Sequence, residues 1–274
     1  MSDAALDKVA APGRHGAEVN SLTRRDLLVS ITLLIAALLL WELIPRLFAV
    51  RSFIFPSFSD TMVELFFLVE NDHLIFHTLI TAMNVLIGFV LGGLFGAVVG
   101  YMLGLCRPAE VILSPYLLLL QIAPKVAFAP LFIMWFGYNV FPKILVTILI
   151  VFFPVAINVL SAMRGIDPDQ LRLARSMNAT SRQVFWKIQF RASLPELLAG
   201  MRIGSTLAVI GVVVGEMVGG NTGLGYLLVF GQGQANTATV FVTIIMLTLI
   251  GIIAYFAVLL VEQRVLRWRP AETH

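Results

Sequence analysis

The chain has little charge and almost no means of cross-linking itself. Cys106 is the only cysteine in 274 residues, which excludes an internal disulfide. Charged residues make up 13% of the sequence, about half the roughly 25% of a soluble domain. None of the four histidines, His15, His73, His77 and His274, is expected deep within a hydrophobic span, and neither His-Glu-x-x-His nor G-x-S-x-G occurs. An intramembrane metalloprotease or serine hydrolase would therefore lack its base. His73 and His77 stand four apart with no third ligand in view. They read as solvated surface histidines, and neither a metal nor a cofactor is implied. None of Lys8, Lys125, Lys143 or Lys187 follows a glycine, so a G-x-x-x-x-G-K-[ST] phosphate loop is excluded.

Apolar sequence is what the chain has in excess. Hydrophobic residues make up 59% and the mean hydropathy is +0.92, the composition of an all-α integral membrane protein. Six spans are predicted, at 27–44, 76–104, 111–136, 143–163, 196–218 and 237–261. They lie in a membrane domain over 24–269, between a disordered tail at 1–23 and a C-terminal tail at 270–274. The pI near 9.2 comes with a net charge of only +3, and the basic residues gather at span ends, so nucleic acid is not a predicted partner. Fifteen of the nineteen Lys and Arg residues fall on one side of this topology, three opposite (Arg46, Arg51, Lys143) and one, Lys125, inside a span. That bias places both termini on the cytoplasmic side of the membrane.

Between the first two spans, residues 46–72 are acidic and predict an amphipathic surface helix. The second span carries Gly88, Gly92, Gly96, Gly100 and Gly104, every fourth residue, which clears one face for a neighbouring helix. Gly211, Gly215 and Gly219 form a second stripe that abuts Glu216 and is a candidate path lining. The third span is interrupted at Pro124-Lys125, and such breaks at membrane depth belong beside protein or a water-filled cavity. With Asn158 of the fourth span, this gives Pro124, Lys125, Asn158, Gly215 and Glu216 as candidate pathway residues. Charges inside spans mark pathways. The alternative is structural, with Lys125 satisfying carbonyls freed by Pro124 and Pro130 and Glu216 at the outer interface. Residues 220–236 are uncharged and read as a short outer or re-entrant piece.

The longest polar interruption runs from Arg164 to Gly204. It holds Arg164, Arg172, Arg175, Arg182, Lys187 and Arg191, a charge pattern for the cytoplasmic side. Asp167-Pro168 predicts a capped helix start, with Leu171, Ala174 and Met177 on one face. Asn178 predicts the left-handed stop. Thr180 to Gln183 has capping-box spacing and opens a second helix carrying Val184, Phe185 and Ile188 on one side. Ser193-Leu194-Pro195-Glu196 predicts a third start.

This stretch resembles the EAA loop of permease subunits in bacterial ABC importers. Arg172-Leu173-Ala174 stands at the family's E-A-A, Asn178 at its Gly, Ile188 at its Ile and Leu194-Pro195 at its L-P. Arg172 reverses the charge of the family's Glu, whereas Asn178 keeps the backbone geometry of its Gly. The segments 124–137, 152–167 and 212–228 resemble the subgroup for nitrate, sulfonate and taurine and for thiamine or riboflavin precursors. The resemblance covers most of residues 50–265. It implies six transmembrane helices and a coupling loop at 164–195 that docks on an ATPase through Arg172, Leu173, Ala174, Asn178, Ala179, Phe185, Ile188, Leu194 and Pro195. It also implies an ATPase subunit pair that hydrolyses the ATP, a second permease subunit, identical or not, and a periplasmic or lipid-anchored substrate-binding protein. The solute would be a sulfonate- or nitrate-like anion or a vitamin-precursor heterocycle. The rival class is an autonomous secondary transporter or channel, which repeated halves would favour.

Overall fold

The structure, a computed structural model, describes residues 24–71 and 73–267. The tails predicted at 1–23 and 270–274 therefore lie outside the described residues, as do Lys8, Arg14 and Arg269. Helix follows helix: α1 (Arg24–Leu47), α2 (Phe58–Glu70), α3 (Leu74–Leu105), α4 (Arg107–Ile122), α5 (Ala129–Phe136), α6 (Val140–Arg164), α7 (Pro168–Ser176), α8 (Ser181–Val184), α9 (Phe190–Gly219), α10 (Leu224–Gly233) and α11 (Thr237–Val265). Strands are absent among the described residues. Backbone groups in a bilayer must be satisfied within their own segment, and helices do this locally.

Five helical runs are long and apolar enough to cross a membrane singly: 26–47, α3, α6, Ser181–Gly219 and α11. The sixth is the bent pair of α4 with Lys125–Phe136, which turns by 82° at the break. Pro124 supplies no N–H, and a single 3-10 turn, Lys125–Phe128, carries the chain around it. The connection after α1 holds α2, started by a reciprocal Ser57–Asp60 capping box.

Helix α6 is the centre of the molecule, because two glycine-lined helices close on it. Without side chains at Gly92, Gly96 and Gly100, the backbone of α3 approaches Ile148, Phe152 and Ala156. A Cβ at Gly96 would lie 2.6 Å from the Phe152 carbonyl oxygen, and one at Gly100 would lie 2.8 Å from that of Ala156. On the other side, Cβ atoms at Gly211 and Gly215 would each stand 2.8 Å from the Cα atoms of Thr147 and Lys143. The second stripe is therefore a packing surface for α6 (and, at Gly219, for Ile133 of α5), not the lining of an open path. Val151, Val155 and Val159 of α6 fill the core with Ala208 and Val212 of α9. Helix α1 meets the rest of the protein through its C-terminal end, where Trp41 packs on Phe58 and Phe241, and nearly all its other apolar side chains are exposed.

Candidate functional site

Two constellations stand at opposite ends of α9, and a cavity lies between them. The first is the loop from α6 to α9. Asp167 Oδ1 accepts from the Asp169 N–H at 2.8 Å and Pro168 opens α7, so one orphan donor is satisfied and one is removed. At the other end the N–H of Asn178 donates to Arg175 O at 3.0 Å and that of Ala179 to Ala174 O at 3.0 Å. This double closure is a Schellman stop. It needs a left-handed residue between its two bonds, and Asn178 supplies it with φ 56°. Thr180 and Gln183 then exchange the two bonds of a capping box. One continuous 39-residue helix follows, from Ser181 to Gly219.

Within that helix a π-helical turn, Phe185–Gln189, inserts one extra residue into the winding. Phe185 meets the ring of Tyr101 edge-on at 5.5 Å and faces Phe190 at 6.2 Å, which ties the loop to α3. The Tyr101 hydroxyl lies 2.9 Å from Ser193 Oγ. Ser193 is therefore not the cap of a third helix. Its hydroxyl bonds back to Gln189 O at 2.8 Å within an unbroken helix, and Leu194 and Pro195 are helical residues beside it. Two further expectations change. Ala174 is buried within the protomer, and Met177 leaves the apolar face at the helix end. What the loop presents outward is Leu173 (63% exposed), Met177 (75%) and Trp186 (54%), among the exposed Arg172, Arg175, Arg182 and Lys187. Arg172 pairs with Asp169 at 2.9 Å on that surface. Ile188 and Ala179 are half-buried.

The second constellation surrounds Glu216, which is fully enclosed rather than at an interface. Thr81 Oγ1 donates to its Oε2 at 2.8 Å, Asn84 Nδ2 to Oε1 at 3.3 Å and the Gly225 N–H to Oε2 at 3.0 Å. Thr81 in turn accepts from the Leu224 N–H at 2.8 Å. His77 Nδ1 accepts from the Gly223 N–H at 2.9 Å, and its ring stacks on Tyr226. His77 is thus a packed residue of the first turn of α3, inside the span, rather than a solvated surface group. Lys143, placed by charge counting among the outer residues, is buried in the first turn of α6. It reaches Thr222 O at 3.4 Å and is close enough to Glu216 for their charges to interact. The cluster ties the start of α10 to α3, α6 and α9. A periodicity signal for its α3 half was present: His77, Thr81 and Asn84 continue the stripe of Gly88 along one face. Its partner residues, more than 130 positions away, leave no such trace. Among the described residues, no group of three or more His, Cys, Asp or Glu side chains is arranged to hold a metal.

Between these ends lies a cavity of about 460 Å³ bordered by α4, α6 and α9 and by the break after α4. Lys125 and Asn158 both line it, together with Gln121. Pro124 is the cap of the turn that carries Lys125 there. Of the five candidate pathway residues, Lys125 and Asn158 therefore share one space, whereas Gly215 and Glu216 belong to the packed interior.

Comparison with known proteins agrees with this geometry. Residues 92–267 match the family described as binding-protein-dependent transport system inner membrane component. A putative aliphatic sulfonates transport permease of Bacillus subtilis (strain 168) is 32% identical over 230 residues, covering 84% of this chain and 83% of its own. A formylaminopyrimidine transport permease of Halalkalibacterium halodurans is 33% identical over 236 residues, covering 86% of this chain and 93% of its own. Among solved structures, the MetNI methionine ABC transporter in an inward-facing conformation superposes with a TM-score of 0.58 at 19% identity, over 71% of this chain and 94% of the matched one. That likeness establishes a shared fold. The chain thus belongs to the family of binding-protein-dependent transport system inner membrane components, and it is a multi-pass permease subunit of an ABC importer.

Proposed function

We propose that this subunit pairs with a second permease chain and receives a small solute from an external binding protein, held at the periplasm or by a lipid anchor. An ATPase pair on the cytoplasmic side drives its passage. Both termini and the α6–α9 loop face the cytoplasm, as the basic residues of the loop favour. Arg46 and Arg51, with the α9–α10 connection, face outward.

The observation that carries the reading is the outward surface of the loop. Leu173, Met177 and Trp186 are exposed on a segment stopped and started by tight caps. The loop runs without a break into α9. Nucleotide-driven closure of an ATPase pair needs a rigid lever of this kind. Apolar residues ringed by Arg and Lys fit a groove with apolar walls and an acidic rim. Ala174 and Ala179 then shape the lever from inside, and Phe185 and Ile188 fix it to the membrane domain. Arg172 meets the rim, where Arg172→Glu should weaken docking.

Site-directed cross-linking tests this. Photoreactive residues at positions 173, 177 and 186 should capture an ATPase, and one at 33 in α1 should not. Cross-links to periplasmic protein alone, or no ATPase copurifying with the intact chain, would overturn the coupling assignment.

A further inference from the structure

The cavity beside the α4–α5 break lies halfway along the molecule. Phe153 sits at the middle of α6, and Ile203, Leu207 and Ile210 lie around the middle of α9. Its walls are mainly apolar, and the polar side chains that line it are Gln121, Lys125 and Asn158. None of the three is acidic, and among the described residues no carboxylate pairs with Lys125 (the ion pairs there join Arg to Asp or Glu).

The break explains how the lysine is held. In a regular helix Gln121 O would receive the backbone N–H of residue 125. After the Pro124 break it receives Lys125 Nζ instead, at 2.5 Å. The ammonium also stands 4.8 Å above the centroid of the Phe153 ring. An ammonium has three donors, and neither contact removes its charge. Asn158 Nδ2 donates to Pro154 O at 2.7 Å, which leaves its second N–H and its side-chain carbonyl for the cavity. A lone cation at this depth is costly without a counter-charge. Here it is oriented by the protein and left without one.

We infer that this cavity is a solute station that takes an organic anion: one negative head group on the Lys125 ammonium and the Asn158 amide, and an apolar body against Phe153 and the aliphatic wall. The inference rests on the importer reading and narrows its solute class. An uncharged heterocycle would leave the ammonium unpaired, and a cation would be repelled.

The test uses the full chain in lipid nanodiscs, with Cys106→Ser and a reporter cysteine at Ile203→Cys in the cavity wall. Butanesulfonate should slow maleimide labelling of the reporter. Hydroxymethylpyrimidine, uncharged, should not. Lys125→Gln should raise the protecting concentration of butanesulfonate by about tenfold or more, the loss expected when a charged hydrogen bond is removed. Lys125→Arg should retain protection. Asn158→Asp, which adds an internal counter-charge, should abolish it even where the helix packing is intact, as judged by an unchanged unfolding temperature. Absent protection by butanesulfonate, equal protection by the pyrimidine, or protection unaltered in Lys125→Gln would each overturn the station. Copurification of an ATPase with the same preparations separates the two claims. If the ATPase is present and protection is absent, only the anion station falls. If no ATPase copurifies, the proposed ATPase coupling falls, whatever the labelling shows.

Discussion

A carboxylate with no water around it survives only if donors replace the water. Glu216 has three such donors, from two helices, and the Thr81 hydroxyl passes the bond chain on to Leu224. Glu216→Ala removes the acceptor and strands the hydroxyl, the amide and the Gly225 N–H together. Each stranded group costs about 1–3 kcal/mol, so the variant should lose several kcal/mol and unfold well below the parent temperature in a detergent melt. Glu216→Gln keeps one acceptor oxygen and should fall between the two. An Ala variant as stable as the parent would show that the cluster does not secure α10. Gly223 gives an independent check. Its φ of 102° disfavours any side chain, and a Cβ there would overlap the Glu216 carboxylate, so Gly223→Ala should destabilise in the same direction. The sequence marked Glu216 as unusual but left its surroundings open. An acidic residue near a span end looks the same whether it faces lipid head groups, a pathway or three buried donors. Which one it meets is decided by helices distant in the chain.

At the scale of the element, caps were legible and continuity was not. Asp167, Asn178 and Thr180 each act through bonds to residues at most three positions away, or through their own backbone angles, so local sequence holds the whole signal. Ser193-Leu194-Pro195-Glu196 has the same spacing yet starts nothing, because the π-helical turn before it already delivers a helix and Tyr101 of α3 engages the serine. No short-range pattern announces that turn. The caps can be tested singly. Thr180→Ala should cost about 1 kcal/mol through the lost N-cap. Asn178→Gly should be tolerated or mildly stabilising, while Asn178→Val should cost about 1–2 kcal/mol because a β-branched residue resists the left-handed region. Paired denaturation and ATPase-coupling measurements would register both effects, and a neutral Asn178→Val would contradict the Schellman stop. The glycine stripe of α3 was legible as a stripe, while its partner was not. The structure assigns it to α6, so Gly96→Leu should prevent the α3–α6 approach and lower the yield of folded protein. Substitution at Gly233, with open space around it, should not.

Across the whole molecule, apolar exposure alone cannot separate surfaces that face lipid from surfaces that face another chain, because lipid tails are as apolar as leucine. Polar groups can make that distinction. Helix α1 exposes Leu33, Leu34, Leu39 and Leu40 along a face that suits lipid. The face formed by α4 and the break exposes Tyr116, Ile122 and Val126 beside Gln121 and Lys125. An amide and an ammonium at that depth are not left against hydrocarbon. A second permease chain over this face would enclose them and turn the open cavity into a passage between two subunits. In a chain carrying Cys106→Ser, Ile122→Cys should therefore form an oxidant-induced cross-link in native membranes. The product should contain two permease chains, identical or not as mass spectrometry decides. Leu33→Cys should remain uncross-linked under the same conditions. A monomer at both positions would contradict the paired arrangement. Cross-linking from Leu33 but not from Ile122 would move the subunit contact to α1 and leave the Lys125 cavity facing lipid, a placement its chemistry does not support.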